Sequence, residues 1–120
     1  MLKVENLSVR YGAVAAVRDL SLSVGQGEFV ALLGPNGAGK SSTINALTGL
    51  VTPAAGRIVF DGNDISRIRT EDRIRGGLTS TPEGRHIFAN LTVGENLRLG
   101  AATRRDPAGV RQDMERFLAL

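Results

Sequence analysis

Leu2, Val4, Leu7 and Val9 fall on one side of an extended segment, with one slip between Val4 and Leu7. This two-residue period predicts a half-buried β-strand. Tyr11-Gly12 breaks the run. Val14 to Val24 predicts a second extended stretch, in which Leu20, Leu22 and Val24 alternate with Ser21 and Ser23. Gly25-Gln26-Gly27 then turns the chain into an unbroken apolar run, Phe29-Val30-Ala31-Leu32-Leu33, the pattern of a buried strand. Beyond residue 40 the period becomes helical, with Ile44, Leu47 and Leu50 on one side. Thr48-Gly49 and Thr52-Pro53 mark the end of that helix, because proline cannot continue it.

Arg57-Ile58-Val59-Phe60 predicts a short strand closed by the turn pair Asp61-Gly62. Ser66 to Arg75 reads as a short charged helix stopped by Gly76-Gly77, and Leu78 to Thr81 as a weak strand entering the loop Pro82-Glu83-Gly84-Arg85. The last third is helical. Thr92-Val93-Gly94-Glu95 is a capping box, in which Thr92 accepts from the Glu95 N–H and Glu95 reaches back. Asp106-Pro107 opens another helix, an N-cap followed by proline at the first helical position. Val110, Met114, Phe117 and Leu118 then share one face and are read as a packing stripe. No internal repeat or low-complexity tract interrupts the chain.

With 120 residues and 42% hydrophobic content, the chain is one globular domain or a piece of one. Aromatics make up 4% and tryptophan is absent, so the expected core is aliphatic. Without cysteine there is no disulfide framework, thiol chemistry or zinc cluster. The N-terminus lacks the layout of a secretory signal, and the longest apolar runs are five residues, far short of a membrane span. A cytosolic protein is expected, one that meets a membrane only through a partner. A net charge of +3 raises the question of nucleic acid. The groups Arg67, Arg69, Arg73, Arg75 and Arg104, Arg105 are interspersed with Asp64, Glu71, Asp72 and Asp106, and no aromatics lie among them. These residues read as a solvated face, and no nucleic-acid partner is expected.

The chemistry lies between the apolar run and the first helix. Gly34-Pro35-Asn36-Gly37-Ala38-Gly39-Lys40-Ser41 fits G-x-x-x-x-G-K-[ST], the phosphate-binding P-loop, in its proper setting after a strand and before a helix. Glycines allow backbone angles that carry a Cβ penalty elsewhere, and let the chain approach a phosphate. Successive N–H groups then form an anion-binding concavity at a helix N-terminus. Lys40 adds a full positive charge on the β- and γ-phosphates, and the Ser41 hydroxyl suits Mg²⁺. A nucleoside triphosphate is the expected ligand.

The chain as a whole resembles the N-terminal part of the ATP-binding subunit of an ABC transporter. Four features carry the resemblance, in order: Tyr11 after the first strand, Leu33 to Ser42 as the P-loop, Gly56 to Gly62 as the strand and turn that follow, and Leu91-Thr92-Val93-Gly94-Glu95-Asn96-Leu97 as the entry to a helical subdomain. The resemblance implies ATP and Mg²⁺ as cofactors, Tyr11 stacking on adenine, and Ser42 contacting the α-phosphate where the family usually carries Thr. It implies an α/β fold: a P-loop NTPase core with an N-terminal antiparallel β-subdomain over residues 1–90, then the start of a helical subdomain over 91–120. It also implies a second ATP-binding subunit and a transmembrane permease as partners, at the cytoplasmic face of the membrane.

Thr81-Pro82-Glu83-Gly84-Arg85-His86-Ile87-Phe88 followed by Leu91-Thr92-Val93 is similar to one subgroup, the ATPases of branched-chain amino-acid importers with their amide and urea relatives. At Glu83 most of the family has a Gln that contacts Mg²⁺ or the attacking water. A carboxylate still accepts from water or approaches the metal, but offers no amide N–H. His86, only a few residues past Glu83, is read as a loop or permease-contact residue and not as the family's late catalytic His. Asp61 sits in a turn and is not read as a metal-binding acid.

Several family features have no counterpart: the L-S-G-G-Q signature, an apolar run ending in Asp-Glu, and the switch His. The chain is therefore expected to be part of a longer protein, to bind ATP without hydrolysing it alone, and to expose apolar surface beside the P-loop strand. The alternative is a non-hydrolysing nucleotide-binding fragment or a non-transport ABC ATPase.

Overall fold

A long antiparallel hairpin pairs β1 (Leu2–Tyr11) with β2 (Val14–Val24), Leu2 opposite Val24 and Tyr11 opposite Val14. The slip in the alternating pattern is a bulge. Asn6 takes a left-handed φ of 49°, which restores Leu7 to the core face after Val4. Asn tolerates that region better than most residues, and local polar contacts hold it. Asn6 Nδ2 donates to Asp19 Oδ1 at 2.7 Å, and the Asn6 N–H donates to Ser21 Oγ at 2.9 Å. The other edge of β1 pairs antiparallel with β3 (Ala55–Phe60), which pairs with the two-residue β4 (Asn63–Asp64). The sheet order is thus β2-β1-β3-β4.

The computed structural model describes residues 1–120 and comprises two compact units, Met1–Ser80 and Thr81–Leu120. In the first, the core is Val4, Leu7, Val9, Val17, Ala46, Ile58 and Ile65, aliphatic as the composition implies. Helix α1 (Lys40–Thr48) packs on β1 and β2. Helix α2 (Thr70–Arg75) is shorter than the stretch from Ser66 suggests. Ser66 is engaged elsewhere: its N–H donates to Asp64 Oδ1, and its Oγ accepts from the Ile58 N–H, both at 2.9 Å.

Three expectations for this unit are corrected. Phe29-Val30-Ala31-Leu32-Leu33 forms no strand and is not buried; Phe29 is 95% exposed and Leu33 87%. No strand of the sheet lies beside it, and an extended run becomes a strand only when a neighbour takes its backbone groups. The apolar surface expected beside the P-loop is accordingly exposed. Leu78 to Thr81 likewise forms no strand, and the Leu78 N–H donates to Arg73 O at 3.0 Å. Helix α1 faces the sheet with Thr43 and Ala46, and Leu47 packs half-buried against the core, whereas Ile44 is exposed and Leu50, past the helix end, is 69% exposed. The small residues let the helix approach the hairpin, and no layer covers its other side.

In the second unit, α3 (Val93–Gly100) begins with the expected capping box. Thr92 Oγ1 accepts from the Glu95 N–H at 3.1 Å, and Glu95 Oε2 accepts from the Thr92 N–H at 2.7 Å. Helix α4 (Pro107–Leu118) starts where expected, but the Asp106 carboxylate does not cap it. Arg104 takes that carboxylate instead, its Nε donating to Asp106 Oδ1 at 2.9 Å, and its Nη1 also reaches Asp113. Of the expected stripe, Val110 and Met114 are half-buried, while Phe117 and Leu118 stay exposed.

The bonds from the Thr92 backbone and hydroxyl region hold the Glu95 carboxyl below the usual carboxylate range. A lowered folded-state pKa stabilises the helix above the unfolded value, and that contribution disappears as pH falls through the folded one. Helix content of α3, followed by Cα chemical shifts, is therefore expected to drop on acidification below the ordinary carboxylate range. Glu95→Gln should remove the acid-sensitive step, whereas Thr92→Ala keeps the backbone donor to Glu95 and should destabilise α3 by roughly 1 kcal/mol through loss of the hydroxyl cap. An α3 whose shifts ignore both changes would contradict this account.

Candidate nucleotide site

The loop Gly34–Gly39 is shaped by backbone angles. Gly37 has φ 86°, and a Cβ there would meet nothing within 4 Å, so conformation and not packing demands glycine. Gly39 has φ 92°, and a Cβ there would lie 2.6 Å from Ala16 O, which brings the end of the loop against β2. Inside the loop the Ala38 N–H donates to Pro35 O at 3.1 Å.

Gly39 is also the N-cap of α1, and no side chain caps that end. Its first turn contains no acidic residue. The Thr43 N–H donates to Gly39 O at 2.9 Å, and the helical amides before it are the ones a helix start leaves without intrahelical acceptors. Lys40 Nζ donates to the carbonyl oxygens of Gly34 and, at 3.0 Å, Pro35. One cation, unpaired amides and the exposed Ser41 hydroxyl thus converge at one helix end, with Ser42 half-buried beside them. The donor set fits a polyphosphate, since its charged groups are a cation and N–H dipoles. Nowhere in the chain do three or more His, Cys, Asp or Glu cluster to hold a metal.

Tyr11 ends β1, opposite Val14 and 46% exposed. It shares the hairpin whose second strand touches Gly39, so Tyr11 and the loop from Gly34 to Ser42 belong to one unit. Glu83 belongs to the other unit, exposed in the irregular segment before α3. That segment is organised by Asn96. Its Nδ2 donates to the carbonyls of Phe88 and Thr92 at 3.1 and 2.9 Å, and its Oδ1 accepts from the Phe88 N–H at 2.9 Å.

Arg73 corrects the reading of residues 67–75 as a solvated basic face. It is 3% exposed, while Arg67, Arg69 and Arg75 are exposed as expected. Burial lowers its pKa. No spacing signal separates it from its neighbours, because four Arg within nine positions look alike until α2 is placed.

A P-loop fold with an uncapped glycine-rich helix start defines the class of protein, a nucleotide-binding cassette. The family model for ABC transporters matches residues 17–119, and the chain belongs to that family. It is 43% identical over 106 residues to the lipopolysaccharide export system ATP-binding protein LptB of Haemophilus influenzae, covering 88% of this chain and 44% of that protein. Over 114 residues it is 38% identical to the high-affinity branched-chain amino acid transport ATP-binding protein BraG of Pseudomonas aeruginosa, covering 94% and 49%. Among solved structures, the ATP-binding cassette MJ1267 of an ABC transporter superposes with a TM-score of 0.78 at 30% identity, covering 93% of this chain and 45% of that one. The chain thus spans about half the length of these relatives.

Proposed function

We propose that this chain binds MgATP as the N-terminal part of the ATP-binding subunit of an ABC importer for branched-chain amino acids. The carrying observation is the uncapped start of α1 behind Gly37 and Gly39, with Lys40 at its head. Gly34, Pro35, Asn36, Gly37, Ala38, Gly39, Lys40, Ser41 and Ser42 hold the phosphates, Tyr11 stacks on adenine, and Ser41 supplies a ligand to Mg²⁺. Glu83 approaches the metal or the attacking water. The nucleotide supplies the phosphoryl group, while this chain's residues bind, orient and neutralise it.

Exposed Ile87 and Phe88 beside Glu83 suit contact with a permease, which would place the protein at the cytoplasmic face of the membrane with a second ATP-binding subunit. No helix of the structure is long and apolar enough to cross a membrane. The importer reading rests on Pro82 to Phe88 with Leu91 to Val93, and on the likeness to BraG. Identity alone does not select it, since LptB is as similar. The second reading, nucleotide binding without hydrolysis or transport, is favoured for the chain by itself because nothing in it matches the L-S-G-G-Q signature, an apolar run ending in Asp-Glu or the switch His.

Labelled leucine uptake by source cells with the gene disrupted tests the importer assignment. Loss of uptake, restored by the intact gene, is expected. Normal leucine uptake together with loss of another transport activity would withdraw the amino-acid assignment and leave the nucleotide site standing.

A further inference from the structure

We propose that Arg73 is a positioning residue for the nucleotide loop, fixing the far end of α1 and hence the direction in which its first turn presents amides. The inference rests on the P-loop reading above. Helix α1 has only nine residues, so it acts as a rigid rod of about 14 Å whose tilt at one end moves the other. Gly39 seats its start against Ala16 O, and Thr43 and Ala46 seat its middle. At the far end, Arg73 Nη1 donates to Ala46 O and Leu47 O, both at 2.7 Å. The same guanidinium donates through Nε to Ile68 O at 2.8 Å and through Nη2 to Ser66 O at 3.2 Å. One planar fork therefore ties the last turn of α1 to the segment leading into α2.

The chemistry favours positioning over plain packing. Arg73 is almost fully buried, and its partners are four carbonyls with no carboxylate among them. A buried cation without a counter-ion is costly, whereas an apolar side chain would fill the same space. What the guanidinium adds is direction. Its five donors have fixed geometry, and two acceptors lie at the negative end of the helix dipole. Gly49 completes the joint, because a Cβ there would stand 3.0 Å from both Arg73 Nε and Thr70 Oγ1.

Two variants of the full chain, Arg73→Ala and Arg73→Lys, test this by MgATP titration at a temperature where circular dichroism shows each folded. Affinity should fall about tenfold or more in Arg73→Ala, with millimolar guanidinium ion restoring most of it and methylammonium restoring less. Where Arg73→Ala does not fold, Arg73→Lys keeps the charge but not the fork, and should fold with weakened affinity. Unchanged affinity in either folded variant overturns the proposal. If the unchanged chain fails to bind MgATP, the P-loop reading falls, and amide exchange then judges Arg73 separately. Faster exchange at Thr43 and Ile44 in Arg73→Lys supports positioning, and faster exchange confined to Gly49–Val51 refutes it.

Discussion

Lys40→Ala is expected to abolish measurable MgATP binding while leaving the fold intact. The ammonium is the only full positive charge in the loop, where Gly34 and Pro35 carbonyls hold it at the head of α1. Hydrogen bonds to charged groups contribute about 1.5–3 kcal/mol each, and a polyphosphate takes more than one from a lysine. Losing them should weaken binding by roughly a hundredfold or more. The fold should survive because the contacts Lys40 makes in the chain are exposed ones to backbone oxygens. Calorimetric titration and a parallel urea melt separate the two effects. An unchanged affinity would remove the P-loop from the account; a lost fold would mean that Lys40 is structural.

Gly56→Ala is expected to have the largest effect on stability. Gly56 lies in β3 with φ 89°, where β1 comes closest. A Cβ there would fall 2.6 Å from Glu5 O and closer still to Asn6 O, both backbone atoms that no rotamer change can move. The left-handed backbone costs an L-residue about 1–2 kcal/mol, and parting β1 from β3 breaks ladder bonds in addition. A total of roughly 4 kcal/mol or more is expected, enough to leave a small domain largely unfolded. Gly62→Ala is the control: φ there is 81°, but a Cβ would meet nothing within 4 Å. Its cost should stay near the conformational term, about 1–2 kcal/mol. Equal urea midpoints for the two variants would mean that the β1–β3 approach does not limit stability.

The parts of this fold that sequence patterns foretold are the ones built from local interactions. Alternation along Leu2–Val9 and Leu20–Val24 describes a hairpin that needs only itself to bury one side. The box at Thr92 and Glu95 spans four positions, and both of its bonds form. Phe29–Leu33 differs because strand formation depends on a neighbour, and nothing within five apolar residues states whether one is present. The face of α1 was legible only in part, for a related reason. Of Ile44, Leu47 and Leu50, Leu47 packs against the core, but close approach to the hairpin seats the smaller Thr43 and Ala46 beside it and leaves Ile44 and Leu50 exposed.

Charged residues divide the same way. The choice of Asp106 between the helix start and Arg104 depends on where Arg104 lies, and the burial of Arg73 depends on α1 and α2 meeting. Glycine-rich spacing made the loop from Gly34 to Ser42 legible, since its function is a property of consecutive backbone groups. The residue that ties down the other end of its helix had no such signature.

Nucleotide binding at the loop is read out by adding MgATP to the isotopically labelled chain and following each amide in ¹H–¹⁵N spectra. The amides of Gly37 to Ser42 should shift together and saturably, with the Tyr11 ring moving in step, and Lys40→Ala should remove the response. Shifts scattered over the surface, or centred on α3 and α4 while Gly37 to Ser42 stay still, would contradict binding at the loop.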